Sequence, residues 1–325
     1  MNLSICFYSL FLTAVMGLAT PARAAEPTYP TRPIRLLVPF APGGGSDTTA
    51  RILTPRLHDA MGQAWVVDNR GGAGGNLAAE IVAKANPDGY TVFLGFNTVL
   101  TVNPTLYKLG FNMEKELAPV TLLANAQYIM VLHQSVSANN LKEFIAVAKQ
   151  KPGAFNFSSA GSGTPLHLSA ELFSKRAGIK MTHIAYKGGS PAAAALLGGE
   201  VQVMFGSIAA SMPHVKTGRL KAFATTGLRR SRVAPDLPTL AEQGFPGFDV
   251  GSWYSFMVPA NTPTHIVNRL RDESLKVIAL SDVQQSLSRQ GLEPETSTPQ
   301  ELAARIKRET ATWAQVIKDA GIRGE

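Results

Sequence analysis

Four short stretches of this chain join glycines to a hydroxyl or amide residue just where an apolar run ends. Their chemistry is that of anion binding. The first is Leu36-Leu37-Val38-Pro39-Phe40-Ala41-Pro42-Gly43-Gly44-Gly45-Ser46-Asp47. An apolar run of strand character enters a glycine loop and leaves through Ser46, a residue type that caps helices by accepting from free N–H groups. Such a corner aims unpaired backbone donors and the positive end of a helix dipole at one point, and glycine has no Cβ to hold a ligand away. The second stretch is Val66-Val67-Asp68-Asn69-Arg70-Gly71-Gly72-Ala73-Gly74-Gly75-Asn76. Asn76 is its expected cap, with Leu77, Ile81 and Ala85 as the apolar stripe of the helix behind it. The third, Asn156-Phe157-Ser158-Ser159-Ala160-Gly161-Ser162-Gly163-Thr164-Pro165, puts Thr164 at a cap and Pro165 at the first helical position, where a missing N–H costs nothing. The fourth, Ile184-Ala185-Tyr186-Lys187-Gly188-Gly189-Ser190-Pro191, repeats the cap-then-proline order. One such corner joins strand to helix in many α/β proteins without binding anything. Four of them, two early and two near the middle, are what the other elements must position.

Those elements alternate. Strands are expected at 34–40, 64–68 and 90–96, with helices over 47–61 and from Asn76 through Lys84, and with a kink or restart at Pro55. The turn signal Asn86-Pro87-Asp88-Gly89 ends the second helix. Asn97-Thr98-Val99 leaves the third strand at its carboxyl end, where ligands bind in open α/β sheets. Two apolar strands, 119–123 and 129–132, follow in close succession, and the chain crosses there to a second lobe. The alternation then resumes: helix 141–150, strand 155–158, helix 165–177, strand 181–186, an alanine-rich helix to Leu197, and strands 201–205 and 220–225. The turn-rich segment Pro235 to Gly251 returns the chain to the first lobe, strand 253–258 follows, and a helix is capped near Thr262 with Pro263 first. A last helix from Pro299 to Ala320 is expected to pack on the outside of a lobe. Strand and helix in alternation argue an α/β fold of mostly parallel sheets with right-handed crossovers.

At 325 residues, 45% hydrophobic and 17% charged, the chain can bury two ordinary cores. Residues 1–24 read as a secretory signal peptide, an apolar segment ending in Ala22-Arg23-Ala24, and the only cysteine, Cys6, lies within it. Loss of that segment leaves a chain with no disulfide framework and no cysteine-based metal site, which fits a bacterial periplasm. The net charge of +8 comes from scattered basic residues. The tightest cluster, Arg229-Arg230-Ser231-Arg232, has no aromatic neighbour to stack on a base, so nucleic acid is excluded as a partner.

Catalytic patterns are missing. There is no Gly-x-Ser-x-Gly elbow, no His-Glu-x-x-His and no metal-ligand spacing among the six histidines. The glycine loops complete neither a Walker motif nor Gly-x-Gly-x-x-Gly. The reading is therefore of a non-enzyme without cofactor or metal. His167, third in its helix, is expected to be a neutral packed side chain, and Trp253 and Phe256 to be core or hinge packing.

Taken in order, Pro-Phe-Ala-Pro-Gly-Gly-Gly-Ser-Asp, Val-Asp-Asn-Arg-Gly-Gly-Ala-Gly-Gly-Asn, Asn-Pro-Asp-Gly-Tyr-Thr, Tyr-Lys-Gly-Gly-Ser-Pro and the Asp-Leu-Pro-Thr-Leu-Ala-Glu-Gln-Gly stretch from Asp236 resemble one family across the whole chain after residue 24. It is the solute-receptor subunit of tripartite tricarboxylate transporters, the Bug receptors. The resemblance implies a type II periplasmic binding protein of two lobes with a ligand cleft between them. The lobes would be residues 25–124 with the return segment 248–325, and residues 125–247. It implies a small carboxylate ligand and delivery to membrane permease subunits, acting as a monomer. The alternatives are a sensory receptor for a membrane kinase and a periplasmic hydrolase. Carried over by position, the ligand-binding residues are Phe40, Ala41, Gly43, Gly44, Ser46 and Asp47 from the first corner and Gly74, Gly75 and Asn76 from the second. Thr98 follows the third strand, and the other lobe gives Ser162, Gly163, Thr164, Lys187 and Gly188. On this reading the Ser162 and Thr164 hydroxyls close over a carboxylate met by the first lobe. Asp47 serves equally as a carboxylate balancing the helix dipole, and Lys187 as a solvated lysine. The sequence departs from the family pattern at Arg70-Gly71-Gly72, where the second position is usually proline, which implies a looser second corner.

Overall fold

The computed structural model describes residues 29–323. The expected signal peptide and Cys6 lie outside the described residues. Strands β1 (Ile34–Val38), β2 (Trp65–Asn69) and β3 (Thr91–Phe96) form a parallel trio in the order β2-β1-β3. β1 leads into α1 (Gly45–Met61), β2 passes through a 3-10 turn (Ala73–Gly75) into α2 (Asn76–Ala83), and β3 runs directly into α3 (Asn97–Thr101), which α4 (Asn103–Leu106) and α5 (Met113–Glu116) follow. The stretch 97–99, expected to leave the third strand at its carboxyl end, does so as the first turn of a helix. α1 runs unbroken through Pro55, with Leu53 and Leu57 buried on either side of it. α2 buries Ala78, Ala79 and Val82, whereas Leu77, expected on its apolar stripe, is 42% exposed.

The two strands expected around residue 125 are one, β4 (Leu117–His133). The polar residues Asn125 and Gln127 do not interrupt it, because an antiparallel partner runs the length of the crossing. That partner is β9 (Gly251–Pro259), whose Trp253 and Gly251 stand opposite Asn125 and Gln127. Beyond the crossing, α6 (Leu141–Gln150) precedes a second parallel trio made of β5 (Asn156–Ser159), β6 (Thr182–Ala185) and β7 (Val203–Ser207). α7 (Pro165–Ala177), α8 (Gly189–Leu197) and α9 (Ile208–Lys216) lie between and after these strands, and β8 (Leu220–Thr225) pairs antiparallel with the far end of β4. β9 then returns and inserts between β3 and β4, so the path reads β2-β1-β3-β9-β4-β7-β5-β6. The sheets are mixed, with the parallel trios at the outer ends and antiparallel strands at the crossing. The chain closes with α10 (Thr264–Ile278), α11 (Ser281–Arg289), the short β10 (Glu293–Pro294) against β4, and α12 (Pro299–Ala320).

Each trio has its own apolar clusters. Leu36, Val38, Leu53, Leu94 and Phe256 pack together on one side of the crossing, and Phe144, Phe157, Phe173 and Phe205 on the other. α12 belongs to both. Its Leu302 packs with Leu37 and Trp253, while Trp313, Val316 and Ile317 join the cluster of Phe157 and Phe173. The helix therefore bridges the two halves instead of covering one, because its apolar stripe is long enough to serve two cores. Thr298 and Glu301 start it with a reciprocal capping box. Trp253 and Phe256 are fully buried, as expected of core or hinge packing.

Candidate functional site

The four corners lie at the carboxyl ends of parallel strands, where the last register pairs are Val38 with Asn69 and Ser159 with Ala185. In the first corner the helix starts two residues earlier than its hydroxyl suggested. Gly44 is the N-cap and Ser46 sits inside the helix, buried. The reason lies in Asp47, third residue of α1, whose carboxylate accepts the N–H of Gly43 at 3.0 Å and Arg51 Nε at 2.9 Å. Gly43 turns the chain at φ 84°, a conformation open to glycine. The hydrogen bond from Arg51 holds the Asp47 carboxyl below the usual carboxylate range, against the opposing effect of burial. The Gly43 N–H is therefore spent inside the loop. Those of Gly44, Gly45 and Ser46 have no partner among the described residues, as befits a helix start. The Ser46 hydroxyl turns inward, to the phenol of Tyr254 on β9, which burial pushes upward in pKa. That phenol stands 2.8 Å from where a Cβ on Gly45 would be, which explains the glycine.

The second corner is locked to the first. Asn69 Nδ2 donates to the Phe40 carbonyl at 2.9 Å, and the Phe40 ring meets Phe96 edge-on at 5.6 Å. From Gly72 to Gly75 every residue has positive φ; the three glycines adopt it freely, and the strain lies in Ala73 at 48°. The cap is Gly75 and not Asn76. Asn103 of α4 holds this loop, donating through Nδ2 to the Gly74 carbonyl at 3.0 Å and to Asn76 Oδ1 at 2.8 Å. The corner without proline is thus braced from outside. With its oxygen occupied, Asn76 presents its amide nitrogen as a donor. A Cβ on Gly75 would stand 2.7 Å from Val99, so α3 packs directly on the turn. Thr98, second residue of α3, is half-buried, and its hydroxyl has no partner among the described residues.

In the third corner Thr164 is the N-cap and Pro165 the first helical residue, as expected. The Thr164 hydroxyl, however, donates to the Gly161 carbonyl at 2.7 Å, so it shapes the loop instead of standing free for a carboxylate. Gly163, at φ 73°, gives its N–H to Nδ1 of His167 at 3.1 Å. His167 is 4% exposed, in keeping with a packed side chain. Ser162 is exposed at the tip. In the fourth corner the cap is Gly188, at φ 115°, so Ser190 and Pro191 are the second and third helical residues and the expected cap-then-proline order does not occur. The N–H groups of Gly189 and Ser190 have no partner among the described residues, and Lys187 is exposed. The fourth corner adjoins the third through the Tyr186 N–H, which donates to the Ser159 carbonyl at 3.0 Å.

α4 joins the two pairs of corners. The Tyr107 hydroxyl at its end lies 3.1 Å from the Cβ position of Gly74, while Leu106 lies 3.0 Å from that of Gly163. The second and third corners thus stand on either side of one short helix. What they offer is a set of backbone donors at helix starts, the Asn76 amide and the Thr98 and Ser162 hydroxyls. The charges of Asp47 and Arg51 neutralise each other at the edge. That is a donor set for a carboxylate. Among the described residues no group of His, Cys, Asp and Glu is arranged to hold a metal, and no helix is long and apolar enough to cross a membrane. A cavity of about 410 Å³ lies elsewhere, at the crossing of β4 and β9, and is lined by Gln127, Arg229, Asp249 and Arg305 but by no corner residue.

Sequence reasoning missed Tyr254, Asn69 and Asn103, whose places depend on long-range packing. It also missed the loop-bracing use of Asp47 and His167. A signal for the latter existed, since in the first and third corners an acceptor side chain stands four residues after a glycine.

The family model described as tripartite tricarboxylate transporter family receptor matches residues 49–322. Protein BugT of Bordetella pertussis is 34% identical over 312 residues, covering 95% of this chain and 95% of BugT. Among solved structures, Rpa4515 of R. palustris, determined with adipate, aligns with a TM-score of 0.73 at 33% identity, covering 91% of this chain and 100% of that one. MatC from Rhodopseudomonas palustris with bound malate aligns with a TM-score of 0.69 at 32% identity, covering 89% of this chain and 100% of that one.

Proposed function

Given that this chain belongs to the tripartite tricarboxylate transporter receptor family, a family of substrate-binding receptors and not of enzymes, we propose that it is a periplasmic receptor for a small carboxylate. In this reading residues 1–24 direct export and are removed. The mature protein holds its ligand between the two lobes and delivers it to the permease subunits of a tripartite tricarboxylate-type transporter.

The observation that carries the reading is the convergence of helix starts with unspent N–H groups at the carboxyl ends of both parallel trios, with α4 between them. A carboxylate meets Gly44, Gly45 and Ser46 of the first lobe and the Asn76 amide beside them. Ser162, Gly189 and Ser190 of the second lobe then close on its other end. Hydrogen bonds to a charged carboxylate net about 1.5–3 kcal/mol each, so a handful supports micromolar affinity, about −8 kcal/mol, after the cost of closure. Adipate and malate, carried by the relatives Rpa4515 and MatC, are both dicarboxylates, which favours a ligand with a carboxylate for each lobe.

A thermal-shift screen of residues 25–325 against mono-, di- and tricarboxylates tests this. A ligand at 100 times its dissociation constant adds about 2.7 kcal/mol, a shift of a few degrees. Stabilisation by one chemical class of carboxylate is the expected result. No shift from any of them, in protein first unfolded and refolded to remove carried-over ligand, contradicts the reading.

A further inference from the structure

Behind the third corner lies a cluster that the donor set does not use. His167 of α7 and His183 of β6 stack face to face, with centroids 3.7 Å apart and planes 10° from parallel, and Phe157 of β5 stacks on His183 at 4.9 Å. Each imidazole holds one part of the loop Gly161-Ser162-Gly163. His167 Nδ1 accepts the Gly163 N–H, which places the His167 proton on Nε2, facing Glu171 Oε1 at 3.5 Å. His183 Nε2 meets the buried Ser159 hydroxyl at 2.6 Å, and that hydroxyl in turn accepts the Gly161 N–H at 3.1 Å and reaches the Gly161 carbonyl at 3.0 Å. The loop has both glycines at positive φ and carries the exposed Ser162 between them, so its direction is set by these contacts.

We propose that His167, supported by the stacked His183, is the positioning residue of the second lobe's binding loop, and that it works through Nδ1 as the acceptor of the Gly163 N–H. This rests on the receptor reading above and extends it to the control of affinity. Without that acceptor the buried Gly163 N–H would have no partner. The loop must then leave the geometry in which Ser162 and the α7 helix start face the ligand. The titratable groups around the His167 ring are His183 from β6 and Glu171 from its own helix, with Phe157 of β5 and the Gly163 backbone completing the surroundings. Burial first, and His167 second, push His183 down to about 4 against the pull of Glu171.

Two substitutions separate the acceptor from the ring. His167→Phe keeps the stack and removes the acceptor. His167→Asn places Oδ1 where Nδ1 stood and so keeps the acceptor. Calorimetry uses as probe the carboxylate that most raises the wild-type melting temperature in the mono-, di- and tricarboxylate panel, at pH 7.5. H167N is expected to bind within a few-fold of wild type, and H167F about tenfold more weakly, the loss of about one net hydrogen bond. If H167F does not fold, His167→Gln, whose amide stands in for Nε2 and not for Nδ1, takes its place with the same expected loss. Unchanged affinity in folded H167F or H167Q, or a loss in H167N equal to theirs, overturns the inference while leaving the receptor reading intact. A wild type that binds no member of the panel overturns both.

Discussion

Asp47 and His167 hold the same place in the two lobes. Each is the third residue of its helix, and each accepts the N–H of a left-handed glycine four residues before it, Gly43 at 3.0 Å and Gly163 at 3.1 Å. The arrangement resembles a capping box moved back by one residue. It spends the donor before the cap so that those after it keep one direction. In the first lobe the acceptor is a carboxylate paired with Arg51; in the second it is the Nδ1 of an imidazole stacked on His183.

Replacing Asp47 by alanine should therefore free the Gly43 turn and weaken carboxylate binding about tenfold, while costing about 1–3 kcal/mol of stability for the buried acceptor lost. Asp47→Asn keeps an acceptor for Gly43 and should recover most of the affinity. The Asp47 pKa is depressed in the folded state, so its contribution is complete above about pH 4 and is lost as pH falls through the folded value. Urea unfolding of wild type and D47N between pH 6 and pH 3 reads this, with the two curves converging at the acid end.

Gly45 and Tyr254 should be energetically coupled. A methyl group at 45 would stand 2.8 Å from the Tyr254 hydroxyl, at the mouth of the donor set. Gly45→Ala alone is expected to cost about 1–3 kcal/mol as overpacking and to reduce affinity. Tyr254→Phe in the same chain removes the opposing atom and should return at least half of that stability. A double-mutant cycle with no coupling would remove Tyr254 from the corner.

Asn103 is expected to matter for binding without touching the ligand. Asn103→Leu leaves the Gly74 carbonyl and Asn76 Oδ1 without their shared donor. The Gly72–Gly75 run, with Ala73 held at positive φ, then loses its outer brace, and affinity should fall by more than tenfold. Preserved affinity in calorimetry would show that the run holds its shape unaided.

The bridge made by α12 rests on a buried polar group. Glu309 accepts from Trp253 Nε1 at 2.9 Å and from Arg305 Nε at 2.8 Å, and burial pushes its carboxyl upward against the pull of Arg305. Glu309→Ala strands both donors and should cost about 3–5 kcal/mol, whereas Glu309→Gln keeps an acceptor for Trp253 and should cost less. Chemical denaturation of the two variants measures the difference.

Much of this was legible in the residues. The four corners and the Thr164-Pro165 helix start follow from local chemistry, and the structure has them. The caps at Ser46, Asn76 and Ser190 were misread because glycine can take the cap position whenever another group secures the turn. At Asp47 and Asn103 that group is three residues inside the helix or 27 residues away. The continuity of β4 was hidden for a related reason. Asn125 and Gln127 look like a break until β9, more than a hundred residues later, supplies the partner strand. Leu77 misled because its neighbours Ala78 and Ala79 are small enough to form the buried face instead.

Backbone donors of both lobes are proposed to hold a single carboxylate ligand between them. Amide chemical-shift mapping of uniformly labelled protein, titrated with the carboxylate that most raises its melting temperature, tests it most directly. The largest shifts are expected at Gly44, Gly45 and Ser46, and with them at Ser162, Gly189 and Ser190, all saturating with a single dissociation constant. Shifts confined to one lobe, or centred on residues 227–232 at the β4–β9 crossing, would contradict it.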